Sequence, residues 1–165
     1  MKRRDFLIAG LSLGLSNEAY GLTSQKLHDF KLEDVNPNSE TYQSQLGPQD
    51  YRKGLLLLNF AAPWCKYCRE EFPHFQEQYN KGGVDILVVG IDDDKPWSEM
   101  EEFKNYTYPF LFHGKIAREK GSDVAAKYGI SSIPVTYFVK DSEIKKIKDG
   151  VLTKKELDDL VKEFK

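Results

Sequence analysis

Two stretches of the chain are apolar almost without interruption. Leu55-Leu-Leu-Leu-Asn-Phe60 and Val84-Asp-Ile-Leu-Val-Val-Gly-Ile91 run for six and eight residues, the pattern of a strand buried on both faces of a sheet. The residues between them read as a helix and are numerous enough for a right-handed crossover, so the three elements predict one βαβ unit. A second helix is predicted from Pro96, because proline suits a first helical turn and Ser98 with Glu101 has capping-box spacing. Its Trp97, Met100 and Phe103 form one apolar stripe, read as core packing. Tyr108-Pro-Phe-Leu-Phe112 reads as a short strand. Val124-Ala-Ala-Lys-Tyr128 reads as a helix that Gly129 ends.

The C-terminal third is patterned as a hairpin and a helix. Pro134-Val-Thr-Tyr-Phe-Val139 and Glu143-Ile-Lys-Lys-Ile-Lys148 flank a short polar turn, and the second of them alternates as a half-exposed strand does. Thr153 with Glu156 has capping-box spacing, and Leu157, Leu160, Val161 and Phe164 then recur at i, i+3, i+4 and i+7. Residues 35–53 are polar, with proline, glycine and asparagine, and read as a loop with one short helix. The whole order predicts an α/β domain, a mixed central sheet flanked by helices on both faces. There is no repeat and no low-complexity tract.

The N-terminus breaks this pattern. Lys2, Arg3 and Arg4 precede a short apolar stretch from Phe6 to Leu15, and Ala19-Tyr20-Gly21 follows with small residues in cleavage-site spacing. That is the layout of a signal peptide over residues 1–21, leaving 22–165 as the domain. Arg3-Arg4-Asp5-Phe6-Leu7 resembles the twin-arginine export motif. Export by that route or by the general secretory route implies a periplasmic or other extracytoplasmic location, with membrane anchoring if the segment is not cleaved. Disulfides persist in such a compartment.

Charge and cysteine count narrow the chemistry. With 24 basic and 26 acidic residues in 165, and neither sign gathered in a block, nucleic-acid binding is disfavoured. Loss of residues 1–21 would remove three of the 24 basic and two of the 26 acidic side chains and leave a formal charge of −3. The length suits one domain, expected as a monomer. Cys65 and Cys68 are the only cysteines, which excludes a disulfide-stapled mini-protein and a four-thiolate zinc site.

Both cysteines follow the first buried strand and open the helix behind it. A thiol at a helix start feels the partial positive charge of unpaired backbone amides, which favours the thiolate, the nucleophilic form. The Cys-x-x-Cys spacing lets the second sulfur reach the first, so the pair can be oxidised and reduced reversibly. A structural staple is the plainer alternative, though so small a loop removes little entropy from the unfolded chain. The other is a metal site, such as that of a copper-binding, chaperone-like protein. It would need imidazoles from His28, His74 or His113, none of which has paired-ligand spacing. No metal and no organic cofactor is expected; the redox group is the cysteine pair itself.

Asn59-Phe-Ala-Ala-Pro-Trp-Cys-Lys-Tyr-Cys-Arg-Glu-Glu-Phe-Pro73 resembles the active-site segment of the thioredoxin superfamily, in particular of its exported TlpA/ResA-like thiol-disulfide oxidoreductases. His28-Asp-Phe-Lys-Leu-Glu-Asp34 is similar to that group's early strand, and Tyr128-Gly-Ile-Ser-Ser-Ile-Pro-Val-Thr-Tyr-Phe138 to its cis-proline segment. The resemblance runs from about Leu27 to Phe164. It implies a thioredoxin fold, with Cys65 as the exposed attacking thiol and Cys68 as the more buried resolving thiol. It also implies a cis-proline at Pro134, an Ile133 backbone free to pair with an extended substrate, and Trp64 covering one side of the site.

Two departures bear on mechanism. Thioredoxin itself has a buried aspartate at the position of Asn59; asparagine cannot titrate, so another base is needed. The TlpA/ResA-like pattern suggests an acidic residue after the second buried strand, and among Asp92, Asp93 and Asp94 the alignment favours Asp93. Between the cysteines, Lys66-Tyr67 replaces the family's more usual proline-containing pair. Lys66 would lower the pKa of Cys65 and make the disulfide easier to reduce, while Tyr67 looks like the residue found there in disulfide isomerases. The resemblance as a whole implies an enzyme that reduces protein disulfides, apocytochrome c among the candidate substrates, and draws electrons from a membrane thiol-disulfide donor. A disulfide oxidant or isomerase is the alternative direction.

Overall fold

The computed structural model describes residues 26–91, 96–111 and 124–165. The segment read as a signal peptide, the candidate base Asp93 and His113 lie outside the described residues. β1 (Leu32–Glu33) and β2 (Gln45–Leu46) form a small antiparallel pair. β3 (Leu55–Ala61), β4 (Val84–Gly90), β5 (Phe110–Leu111), β6 (Val135–Lys140) and β7 (Glu143–Asp149) form a five-stranded sheet in the order β5-β4-β3-β6-β7. β3, β4 and β5 are parallel, whereas β6 runs antiparallel to β3 and to β7.

The apolar run of β3 is explained by its place at the centre. All seven of its residues are buried, and alternate side chains serve two different cores. Leu55 and Leu57 face a core shared with α1 (Lys66–Lys81) and α2 (Lys154–Phe164). Leu56, Leu58 and Phe60 face a second core with Phe30, Leu32, Val124 and Tyr128. The sheet is therefore covered on both faces, as its uninterrupted apolar strands require.

α1 begins just past the C-terminal end of β3, with Cys65 as its N-cap, and it ends at Gly82, whose φ of +73° lies in the region glycine tolerates best. α2 starts at the expected capping box, Thr153 with Glu156. Helix α1 is tied to α2 by a Gln78–Asp158 hydrogen bond and a Lys154–Glu77 ion pair. On the opposite face, residues 124–127 are helical and Gly129 follows with φ of +64°. The Tyr128 hydroxyl donates to the His28 carbonyl at 2.7 Å and accepts from the His28 N–H at 3.1 Å, pinning the N-terminal segment to the domain.

Three local expectations need correction. The helix predicted from Pro96 is two 3₁₀ helices, Trp97–Glu99 and Glu101–Asn105, separated by an extended Met100. The reason lies in the spacing: Trp97, Met100 and Phe103 are exactly three apart, the repeat of a 3₁₀ turn, and all three are buried. The loop over 35–53 contains the 3₁₀ turn Pro48–Asp50 and also a strand, β2, too short to show a period. The early strand segment His28–Asp34 is regular only at Leu32–Glu33, with one further bridge from Asp34 to Leu111.

The first core is rich in rings. Phe72 meets Phe75, Trp97, Tyr106 and Phe110 with centroids 5.3–6.3 Å apart, mostly edge to face. Phe72→Ala should destabilise the oxidised protein by about 3–5 kcal/mol, read as a lower urea midpoint at unchanged slope.

Candidate active site

The first buried strand and the helix behind it meet at the sulfur pair. Cys65 and Cys68 are joined in a disulfide with Cα atoms 5.3 Å apart. The Cys65 Sγ also accepts the Cys68 N–H at 3.2 Å, so the attacking sulfur is the helix cap. Such a position stabilises negative charge on Cys65 when the bond is opened.

The two sulfurs differ in access, but less than expected. Cys68 is wholly buried, and Cys65 is only 6% exposed, so the expectation of an exposed Cys65 thiol is corrected for the disulfide form. In a helix cap the sulfur is turned back toward the amides behind it, and Cys65 belongs to the same buried cluster as Cys68. The exposed groups are its neighbours: Trp64 and Tyr67 stand half or more in solvent. Lys66 is also exposed and lies 3.9 Å from Glu70; a cation so solvated and so paired exerts only a weak pull on Cys65.

Strand β6 brings the second predicted segment to the same end of the sheet. Phe60 pairs with Val135, which places Pro134 beside the last residues of β3, where the chain turns toward Cys65. The Ile133–Pro134 peptide is cis, and Ile133 packs against the cluster that contains both cysteines.

Sequence reasoning missed a buried carboxyl. Glu71 is fully buried and lies three residues after Cys68 on α1, where i, i+3 side chains are neighbours. Its Oε1 accepts from Asn59 Nδ2 at 2.7 Å and its Oε2 from the Leu152 N–H at 2.8 Å. Burial pushes its pKa up to about 8, against the smaller opposing pull of the Leu152 N–H, Asn59 and Lys148. A signal was present: Cys68, Glu71, Phe72 and Phe75 share the buried face of α1, and a glutamate on an apolar helix face marks either a paired charge or a proton carrier. Asn59, noted only for what it cannot do, is the residue that holds it.

The chain as a whole is similar to known proteins. The Redoxin family pattern matches residues 22–162. The chain belongs to the Redoxin family. This redoxin is 30% identical over 155 residues to the thiol-disulfide oxidoreductase ResA of Geobacillus kaustophilus, covering 90% of this chain and 75% of that one. It is 31% identical over 131 residues to ResA of Oceanobacillus iheyensis, covering 76% of this chain and 64% of that one, so it spans somewhat less than two thirds of that relative. Its fold matches the thioredoxin domain of a thiol-disulfide oxidoreductase from Bacteroides vulgatus with a TM-score of 0.67, at 21% identity, over 87% of this chain and 99% of that one. The fold is thus thioredoxin-like, as the sequence implies, and the redoxin groups with the ResA-type thiol-disulfide oxidoreductases.

The raised Glu71 pKa has a measurable sign. Between about pH 4.5 and about pH 8 the unfolded chain loses this proton while the folded redoxin keeps it, so stability falls across that window and levels off above it. Glu71→Gln should therefore gain in Tm over the parent as pH rises through the window; a constant Tm difference from pH 5 to pH 8 contradicts the burial argument.

Proposed function

We propose that this redoxin is an extracytoplasmic thiol-disulfide oxidoreductase, residues 22–165 forming its working domain, that reduces disulfides in exported proteins. The observation that carries the reading is the meeting of three features at one end of the sheet: a disulfide capping α1, the cis Ile133–Pro134 bond, and the buried Glu71 carboxyl one turn behind Cys68.

The chemistry balances without an organic cofactor or metal. The Cys65 thiolate attacks one sulfur of a partner disulfide, forms a mixed disulfide and releases the partner's first thiolate. In the molecules whose Glu71 is ionised, a minority below about pH 8, Cys68 passes its proton to it, and the Cys68 thiolate attacks Cys65 Sγ. The partner's second thiolate leaves, and the Cys65–Cys68 disulfide closes. Two electrons move from the dithiol to the partner. A carboxyl held near pH 8 lies close to the ordinary thiol pKa of about 8.5, so this proton transfer is nearly balanced and runs in either direction. Asp93 is a second carboxyl for the same step, proposed from the resemblance alone.

Trp64, Ile133 and Pro134 would receive the partner. The exposed Trp64 ring supplies apolar contact, and the Ile133 backbone supplies strand-like pairing. Lys66 and Tyr67 would tune the potential. A membrane thiol-disulfide protein would return the electrons, since an exported reductant acting as a monomer has no other store. Apocytochrome c fits the substrate class of a cysteine-pair protein in that compartment. The second reading, an oxidant or isomerase, rests mainly on the resemblance of Tyr67 to the residue found there in disulfide isomerases, since the solvated Lys66 beside Glu70 adds only a weak stabilisation of the reduced form.

Two measurements test this. In a chain starting at Leu22, a reduction potential near or below about −250 mV supports the reductant, and one near about −120 mV makes the protein a disulfide donor. Cys65→Ser should abolish exchange, whereas Cys68→Ser should accumulate partners linked through Cys65, visible on non-reducing gels; trapping through neither cysteine would sink both directions.

A further inference from the structure

Asn59, Glu71 and Thr136 are buried polar side chains on three different elements, β3, α1 and β6, and all three are fully shielded from solvent. They are wired in series. Asn59 Nδ2 donates to Glu71 Oε1 at 2.7 Å and to Thr136 Oγ1 at 2.9 Å. The other end of the same carboxamide, Asn59 Oδ1, is buried without a hydrogen-bond partner. An unpaired buried acceptor costs free energy that a folded chain ordinarily avoids.

The proton traffic at Glu71 gives that idle acceptor a use. A carboxylate wants donors on both oxygens; a carboxylic acid wants an acceptor for its own O–H. Oε2 faces the Leu152 backbone N–H, which only donates and cannot turn. The proton therefore sits on Oε1, where it meets Asn59. With Nδ2 presented there, two donors collide. A half-turn of the carboxamide presents Oδ1 instead, which accepts from Glu71 and from the Thr136 hydroxyl together. Each orientation leaves one amide atom unpaired, Oδ1 in the first and Nδ2 in the second, so neither is strongly preferred by desolvation and the state of Glu71 decides.

We propose that Asn59 is a positioning residue whose carboxamide turns over when a proton passes between Cys68 and Glu71, reversing the hydrogen bond to Thr136 and so reporting the state of the thiol pair to the strand that follows the cis-proline. The proposal rests on the reading of Glu71 as the Cys68 proton acceptor. Only a proton moves in this step, from Cys68 Sγ to Glu71 Oε1; no bond to sulfur forms or breaks. The other charged or titratable groups facing Glu71 are Lys148 from β7 and Tyr108 from the segment before β5. Lys148 is engaged with Glu156 at 2.9 Å, and the Tyr108 hydroxyl donates to the Phe72 carbonyl at 3.3 Å. Neither is hydrogen-bonded to Glu71, whose carboxyl bonds are to Asn59 and the Leu152 N–H. Thr136 is two residues beyond Pro134, so a change in its bonding acts on the segment proposed to pair with substrate.

Nuclear magnetic resonance on the full chain, oxidised and reduced, tests the relay. The Glu71 carboxyl carbon, the Asn59 side-chain amide and the Thr136 backbone amide should shift with one common pH midpoint. Asn59→Leu should leave Glu71 titrating but lose the response at residue 136, which a purely through-space effect of the Glu71 charge would preserve. Glu71→Gln should lose both. An Asn59 side chain that does not follow the carboxyl midpoint, or an undiminished response at residue 136 in Asn59→Leu, overturns the proposal. If Asn59→Leu does not fold, Thr136→Val decides: Glu71 and Asn59 should still titrate together while the response at residue 136 is lost, and a retained response counts against the relay. Failure of the underlying reading looks different, because Glu71→Gln would then close the Cys65–Cys68 disulfide from a mixed disulfide at the parental rate.

Discussion

The structure depends on a single polar residue in its most apolar strand. β3 is buried on both faces and bonded along both edges, so nothing in it can reach water, and Asn59 must find its partners inside. It finds them in α1 and β6. Those two bonds fix how the helix that begins at Cys65 and the strand that begins beside Pro134 sit against the centre of the sheet. The site's geometry is thus a by-product of pairing one amide nitrogen. The same constraint brings a carboxyl into the core, where it can exist comfortably only by keeping its proton over an unusually wide range of pH.

Much of this was legible in the chain. The two uninterrupted apolar runs gave away the doubly covered sheet, the capping box at Thr153 marked the last helix, and Cys65 and Cys68 announced their chemistry by position. What was not legible follows from physics that acts at a distance. Three apolar residues spaced at three are the repeat of a 3₁₀ turn, but over so short a run they also resemble the stripe of an α-helix, and Trp97–Phe103 reads as the latter. β2 is two residues long, below the length at which alternation can be seen. Glu71 shows no role in the sequence because its partners, Asn59 and the Leu152 N–H, are 12 and 81 residues away along the chain.

The access to the sulfurs also belongs to tertiary structure. Sequence places Cys65 ahead of Cys68 on the helix, and hence nearer the surface, which is the right order. Capping decides the amount, since a sulfur engaged with the helix amides is turned inward. Opening the disulfide replaces a shared neutral sulfur with a charged one at the same cap, and the amides that shield it in one state stabilise it in the other.

The two tryptophans are placed as a matched pair of unlike environments. Trp97 is 1% exposed, with its indole N–H donating to the Leu111 carbonyl at 3.2 Å, while Trp64 is 51% exposed and adjoins Cys65. A disulfide quenches a neighbouring indole, so opening the Cys65–Cys68 bond will brighten Trp64 at the surface, while Trp97, buried in the core cluster that holds both cysteines, reports on the packing of that core. The molecule carries its own optical gauge of redox state.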